Sequence, residues 1–267
     1  MTNIQQTIQL LKQADAIAIF AGAGMSADSG LKQFRGTNGL WEKAIKIHDK
    51  EIKHLDLMTH QAFEEMPKEA WTFIAYLMDK YTNAKAHIGY EKLHNLVKNK
   101  EHFVITSNID EQFQKANFNE DNILEVHGSI FYMQSMDISE KEIWLTPKLI
   151  YDKKDFTLKS PVPKCLESEY NCRPNIMMFG DWFWVSTKSA HQQIRFNKWK
   201  KHIEKTCKNI VAIEIGAGET IRTIRASSER FSGNNIPLIR VNPNDFEVNQ
   251  EHHISISMEA KEFLVNL

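Results

Sequence analysis

The sequence predicts an α/β protein: a doubly wound parallel sheet carrying a smaller lobe built from two insertions. Three observations lead there. Short, almost wholly apolar segments recur along the chain, as strands covered on both faces do; amphipathic stretches separate them; and the first apolar segment runs into a glycine-rich turn. With 267 residues, 42% of them hydrophobic and 25% charged, the chain is long enough for one such sheet and its lobe.

Taken in order, a first helix is expected from Asn3, a capping residue type, because Ile4, Ile8 and Leu11 then share one face. It feeds directly into a strand over Ala16–Phe20. Further strands are expected at His102–Thr106, Ile123–Val126, Asn175–Phe179, Ile210–Ile215 and Pro237–Asn242, each closed by polar or glycine-containing residues. Helices are expected over Thr187–Lys205 and Thr220–Phe231. In this architecture ligands bind outside the carboxyl ends of the strands. Two regions break the alternation. Residues 37–100 are rich in helix formers and aromatics, and residues 132–172 are polar, with prolines and hairpin character; both read as insertions of a second lobe within one unit spanning 1–267.

Charge narrows the function classes. Lys plus Arg (33) nearly balance Asp plus Glu (34), so the net charge of -1 offers no global field for nucleic acid or an anionic membrane. The apolar run Ala16–Met25 is too short to span a bilayer, and the first residues do not resemble a secretory signal. Three widely spaced cysteines give no disulfide framework, which makes a reducing cytoplasm the expected compartment.

The turn after the first strand, Gly22-Ala23-Gly24-Met25-Ser26-Ala27, satisfies G-x-G-x-x-A, in which glycines let backbone approach a pyrophosphate at a helix N-terminus. The same spacing also suits a tight strand-to-helix turn that binds nothing. A dehydrogenase would continue with a long amphipathic helix and an acid about 20 residues on. Here the chain instead runs from Ser29 to Trp41 through Gly30, Gly36 and Gly39, with too little apolar period for a long helix. That is a long loop, and it bears Phe34 and Arg35.

This stretch, Gly22 to Trp41, resembles the signature GAGxSxxSGIPDFRxxxGLW of the sirtuin family. Three more segments follow in the family's order: Thr106–Asp110 resembles TQNID, His127–Ser129 matches HGS, and Arg173–Asp181 resembles RPxVVxFGE. Gly216-Ala217-Gly218 stands in the place of the family's GTS, and Val241–Asn244 in that of its INxE. The likeness covers the Rossmann-like part of nearly the whole chain and is thin in the insertions.

The resemblance implies an NAD-consuming enzyme, with 1–267 a sirtuin-type catalytic unit. NAD would be held by Gly22, Ala23, Gly24, Ser26 and Ala27, by Phe34, Arg35 and Trp41 of the long loop, and by Ser107, Asn108, Ile109, Asp110 and His127. Gly216, Ala217, Gly218, Asn242 and Asn244 would complete the site. The implied catalytic residues are His127, Asn108 and Asp110: Asp110 bonds the nicotinamide carboxamide, Asn108 positions the ribose, and His127 is the general base toward a ribose hydroxyl. Asn108 and Asp110 equally suit the cap of a helix running to Ala116. Met178, Phe179, Gly180 and Asp181 would take an acylated protein or peptide by extended backbone pairing.

Departures from the pattern carry their own expectations. The family holds a structural zinc with two CxxC pairs, and this chain has no CxxC. Cys165 and Cys172 fall where the second pair would be, so no zinc is expected, the lobe being held by apolar contacts from Phe131, Trp144, Leu149 and Phe156. Glu219 would repel phosphates unless it meets Arg222 or Arg225. The leading expectation is a protein-lysine deacylase forming nicotinamide and O-acyl-ADP-ribose. NAD hydrolysis or ADP-ribosyl transfer at the same site is the alternative enzyme reading, and a non-enzymatic NAD or ADP-ribose sensor the alternative outside catalysis.

Overall fold

The computed structural model describes residues 3–34, 39–47, 50–166, 168 and 170–267. Among these, the strands in chain order are β1 (Ala16–Ala21), β2 (Ala44–Ile47), β3 (Lys50–Lys53), β4 (Glu101–Thr106), β5 (Ile123–Glu125), β6 (Gly128–Ser135), β7 (Ile143–Leu145), β8 (Tyr151–Asp152), β9 (Thr157–Leu158), β10 (Cys172–Ile176), β11 (Ile210–Ile215), β12 (Leu238–Val241) and β13 (Ile254–Ile256). The α-helices are α1 (Asn3–Gln13), α2 (Gly24–Ala27), α3 (His60–Glu65), α4 (Pro67–Asn83), α5 (Ile88–Val97), α6 (Gln112–Lys115), α7 (Thr187–Thr206), α8 (Thr223–Ser232) and α9 (Ala260–Leu264). The chain divides into two compact units, the first made of Met1–Gly30, Lys85–Val126 and Ser189–Leu267, the second of Leu31–Ala84 and His127–Lys188.

The first unit is built on a six-stranded sheet in the order β13-β12-β11-β1-β4-β5, with every pairing parallel. Alternate residues explain how it is covered. Ile17, Ile19, Val104, Ile213 and Val241 point to one face and pack with Leu11 of α1, Tyr90, Leu93 and Val97 of α5, and Phe263 of α9. Ala18, Phe20, Phe103, Ala212 and Leu238 point to the other and pack with Ile203 of α7 and Ile224 and Phe231 of α8. Burial on both faces is what turns these strands into continuous apolar runs. One exception sits mid-strand: Glu214 is fully buried, opposite Arg240 in register, with Arg240 Nε donating to it at 2.7 Å. A buried carboxylate is tolerated because it is paired in this way.

The second unit contains the antiparallel sheet β10-β6-β7, the hairpins β2-β3 and β8-β9, and helices α3 and α4. Thr59 caps α3, its Oγ1 accepting from Ala62 N at 3.2 Å, and Pro67 opens α4, where a missing N–H costs nothing.

Two expectations need correction. The strand placed at Asn175–Phe179 in the parallel sheet is β10, Cys172–Ile176, and it pairs antiparallel with β6 in the second unit. The apolar run drew the reading toward Phe179, but the strand buries polar side chains instead. Arg173 is paired with Asp181 at 2.8 Å and Asn175 Nδ2 donates to Gln134 Oε1 at 3.0 Å. The insertion 37–100 ends earlier, because residues 85–100 belong to the first unit, where α5 supplies Tyr90, Leu93 and Val97 to the core. Strand β13 was missed: Ile254–Ile256 is three residues with a serine at its centre. Among the described residues no helix is long and apolar enough to cross a membrane.

Candidate active site

The carboxyl ends of β1, β4, β11 and β12 bring the expected cofactor residues of the first unit together. Gly22 N donates to Ile215 O and Gly24 N to Gly216 O, each at 3.0 Å, which ties the loop after β1 to the loop after β11. The glycines are needed for this approach. A Cβ on Gly22 would lie 2.6 Å from Gly216 O, one on Gly24 2.7 Å from Gly216 Cα, and Gly216 itself has φ +63°. Backbone thus meets backbone, and the glycines bring two loops into contact. The helix that follows, α2, is a single turn, with Ser26 buried and Ala27 half-buried at its end. Ala23 and Gly218 are exposed, and their main-chain N–H groups make no hydrogen bond within the described chain.

Next to this floor, the turn after β4 is fixed by its own polar groups. Ser107 N donates to Ala21 O at 3.2 Å, and Asn108 N to Thr106 Oγ1 at 3.0 Å. Asn108 Nδ2 donates to Gly22 O and to Ser26 Oγ, both at 3.0 Å, and Ile109 is buried beside it. Asp110 is buried, and burial raises its carboxyl pKa above the ordinary value, opposed by bonds from the Ser26 hydroxyl and Gln112 N. The bond from Gln112 N to Asp110 Oδ1, 3.1 Å, ties Asp110 to the first residue of α6, while the N-cap position itself is held by Glu111. That helix spans only Gln112–Lys115.

On the other side, Asn242 Nδ2 donates to Ala217 O at 3.0 Å, and Asn242 Oδ1 accepts from Asn244 N and Asp245 N. Asn242 is therefore a loop brace, while Asn244 is exposed. Glu219 meets Arg225, whose Nη1 donates to its Oε1 at 2.8 Å, so the carboxylate's charge is answered locally.

Sequence reasoning missed two residues here. His87 Nδ1 accepts from Gly89 N at 3.0 Å, so its protonated Nε2 donates to Met25 O at 2.9 Å. Burial lowers the His87 pKa and favours that neutral ring. Tyr90 OH lies 2.9 Å from Ser26 Oγ. Tyr90 shares a helix face with Leu93 and Val97 and so reads as core; nothing in the sequence marks its hydroxyl.

The second unit carries the remaining expected residues. His127 is half-buried at the start of the β6 strand, and its main-chain oxygen accepts from Met177 N at 3.0 Å. Gly128 follows with φ +76°, where a Cβ would lie 2.1 Å from Asn175 O, so only glycine lets the chain turn there. Phe34 is half-buried, and Trp41 falls in the 3-10 turn Leu40–Glu42; Arg35 lies outside the described residues.

The expected substrate segment is divided. Met178 is buried, whereas Phe179 and Gly180 are exposed. The Asp181 carboxylate is fully buried: Oδ2 sits 2.8 Å from Arg173 Nη2 and accepts from Met178 N, and Oδ1 accepts from Phe183 N. It shapes the loop from inside, so that its side chain is occupied and the residue's part-exposed portion is its main chain. Trp182, next to it, is 91% exposed.

Cys165 and Cys172 face one another, Sγ atoms 3.0 Å apart, both buried. Burial and the neighbouring Cys165 push the Cys172 pKa far up, which favours the thiol over the thiolate a metal needs. Among the described residues no group of three or more His, Cys, Asp or Glu side chains is placed to hold a metal ion. These residues do not fit the four-thiolate zinc site of the resemblance.

Residues 22–214 match the Sir2 family, from the glycine turn through β11. The chain belongs to the Sir2 family. An NAD-dependent protein deacylase of Pyrococcus furiosus is 34% identical over 64% of this chain and 63% of its own length. An NAD-dependent protein deacetylase of Clostridium perfringens is 30% identical over 66% of this chain and 67% of its own. The alignment with the Pyrococcus furiosus protein thus spans just under two thirds of that Sir2 relative. A Sir2 homologue solved with ADP-ribose matches with a TM-score of 0.74 at 20% identity, over 98% of this chain and 94% of the other. A Sir2 homologue solved as an NAD complex matches with a TM-score of 0.72 at 20% identity, over 98% and 91%. These two show that the Sir2 fold runs through nearly the whole chain.

Proposed function

We propose that this Sir2 family member is an NAD-dependent protein-lysine deacylase whose catalytic residues are Asn108, Asp110 and His127. The observation that carries the reading is the cluster after β4, in which Asn108 is braced between Gly22 O and Ser26 Oγ with Asp110 buried beside it. The residues fit an NAD molecule: unpaired N–H groups on Ala23 and Gly218 suit its phosphates, and glycines at 22, 24 and 216 let the two loops meet through backbone alone. NAD supplies a nicotinamide–ribose bond whose cleavage activates the sugar carbon. Ser107, Ile109, Asn242 and Asn244 complete the holding residues of the first unit, and the resemblance adds Phe34, Arg35 and Trp41.

What the chain's own groups do follows from their chemistry. Asp110, as a carboxylate, accepts from the nicotinamide carboxamide. Asn108, with both Nδ2 bonds spent on the protein, offers Oδ1 to a ribose hydroxyl. His127 takes a proton from a ribose hydroxyl, a task suited to an imidazole near neutral pH. The acylated peptide lies along Met178–Asp181, where the exposed Phe179 and Gly180 offer backbone to pair with an extended chain. Asp181 acts through the loop it braces. The entire chain, 1–267, works as one catalytic unit, and its compartment is the cytoplasm; neither nucleic acid nor membrane is a partner.

The test separates cleavage from deacylation. His127→Ala should keep NAD binding, lose deacylation by a factor on the order of 100 or more, and lose less of its nicotinamide exchange, which needs only the earlier cleavage. Equal deacylation by wild type and variant would show that His127 is structural. Wild-type protein that hydrolyses NAD yet deacylates no acyl-lysine peptide would be an NAD hydrolase or ADP-ribosyltransferase.

A further inference from the structure

We propose that Tyr90 is a positioning residue for Asp110 and Asn108, acting through the hydroxyl of Ser26. The inference rests on reading the cluster after β4 as the site of NAD cleavage. Its basis is a count of donors and lone pairs at one oxygen.

Ser26 Oγ lies 3.0 Å from Asn108 Nδ2 and 2.9 Å from the Tyr90 phenol oxygen. An amide nitrogen only donates, so Asn108 takes one of the two lone pairs on Oγ. Asp110, as a carboxylate, only accepts, and the Ser26 hydroxyl is among the groups that stabilise its charged form. On this proposal the serine proton goes to Asp110, the buried acceptor two residues beyond Asn108. Oγ has one lone pair left for the phenol, and Tyr90 must donate. Burial together with the charge of Asp110 pushes the Tyr90 pKa well up, so the phenol keeps its proton.

The proposed order is Tyr90 O–H to Ser26 Oγ and Ser26 O–H to Asp110, with Asn108 donating into the same serine oxygen. Tyr90 removes the rotational freedom of the Ser26 hydroxyl. A free hydroxyl could turn its proton away from Asp110; this one cannot without leaving the phenol proton unpaired in a buried position. The Asn108 amide is held by the same device, with Nδ2 committed to Gly22 O and Ser26 Oγ.

The ring and the hydroxyl of Tyr90 have separable jobs. The ring packs against His87 at 4.9 Å and Phe113 at 5.0 Å between centroids, and the residue is fully buried on α5. Phenylalanine would fill that space equally well. Only the oxygen reaches Ser26.

Tyr90→Phe removes that oxygen alone. We expect kcat for nicotinamide release from NAD to fall about tenfold, the weight of one ordered buried hydrogen bond, with the melting temperature nearly unchanged. The acid limb of the pH–rate curve should move to higher pH, because Asp110 loses an ordered donor. In a Ser26→Ala background, which has already cut the link, adding Tyr90→Phe should change kcat by less than about twofold. A merely structural Tyr90 would lower the melting temperature and leave the acid limb where it was. Tyr90→Phe with wild-type kcat and pH dependence, or full additivity with Ser26→Ala, overturns the proposal while the NAD-cleavage reading stands. Wild-type protein that leaves NAD intact, with and without acyl-lysine peptide, overturns both.

Discussion

Asp110 has two duties that a substitution can separate. Its Oδ1 accepts from Gln112 N, and its charge sits buried beside Ser26 and Asn108. Asp110→Asn keeps an acceptor for Gln112 N and removes the charge. NAD turnover and inhibition by nicotinamide should both weaken by at least about tenfold, with the fold intact by circular dichroism and melting. A collapse in melting temperature with turnover preserved would make Asp110 a cap and nothing more. The pH dependence has a definite sign. Burial raises the folded-state pKa of Asp110, so on acidification the active carboxylate is lost at a higher pH than for a solvated aspartate. The acid limb of turnover should therefore lie above the ordinary carboxylate range near pH 3.9, and Asp110→Asn should abolish that limb. At this scale the sequence was most legible where chemistry and motif coincide, at Asn108, Asp110 and the glycines. It was silent on Tyr90, since a hydroxyl on an apolar helix face looks like core. It did not show that the Asp181 side chain is buried, because the Arg173 that pairs with it is eight positions away and only the loop's return brings the two together.

Elements with one unforgiving backbone position are tested by small changes. Gly128 joins His127 to β6 at φ +76°, with Asn175 O where a Cβ would go. Gly128→Ala should destabilise the second unit by about 3 kcal/mol, combining left-handed strain with a backbone clash. Denaturant unfolding reads this directly; a loss within about 0.5 kcal/mol, the range of an ordinary surface substitution, would mean that β6 and β10 shift to accept a side chain. The strands of the parallel sheet were legible because both of their faces are buried, which writes them as apolar runs. β10 was displaced in the reading because its buried side chains, Arg173 and Asn175, are polar and satisfied by partners far along the chain. No periodicity rule sees such a strand.

Across the molecule, one sheet covered on both faces and a second unit drawn from two chain segments account for most of what the sequence implied. The boundary near residue 85 was illegible, since α5 has the same helix-forming character as α4 and only its packing assigns it to the first unit. The second unit also lacks the thiols of a zinc module. With Cys165 and Cys172 buried and the Cys172 pKa raised by that burial, the purified protein should contain no stoichiometric zinc and should melt at the same temperature in strong chelator. One zinc per chain by elemental analysis would contradict this.

The central claim is that the site cleaves NAD in order to remove an acyl group from lysine. Mass-spectrometric identification of products after incubation with NAD, with and without an acyl-lysine peptide, tests it most directly. The account predicts nicotinamide, free-lysine peptide and O-acyl-ADP-ribose in equal amounts, formed only when the acylated peptide is present. Equal nicotinamide release without the peptide, yielding plain ADP-ribose and leaving added acyl-lysine untouched, would contradict it.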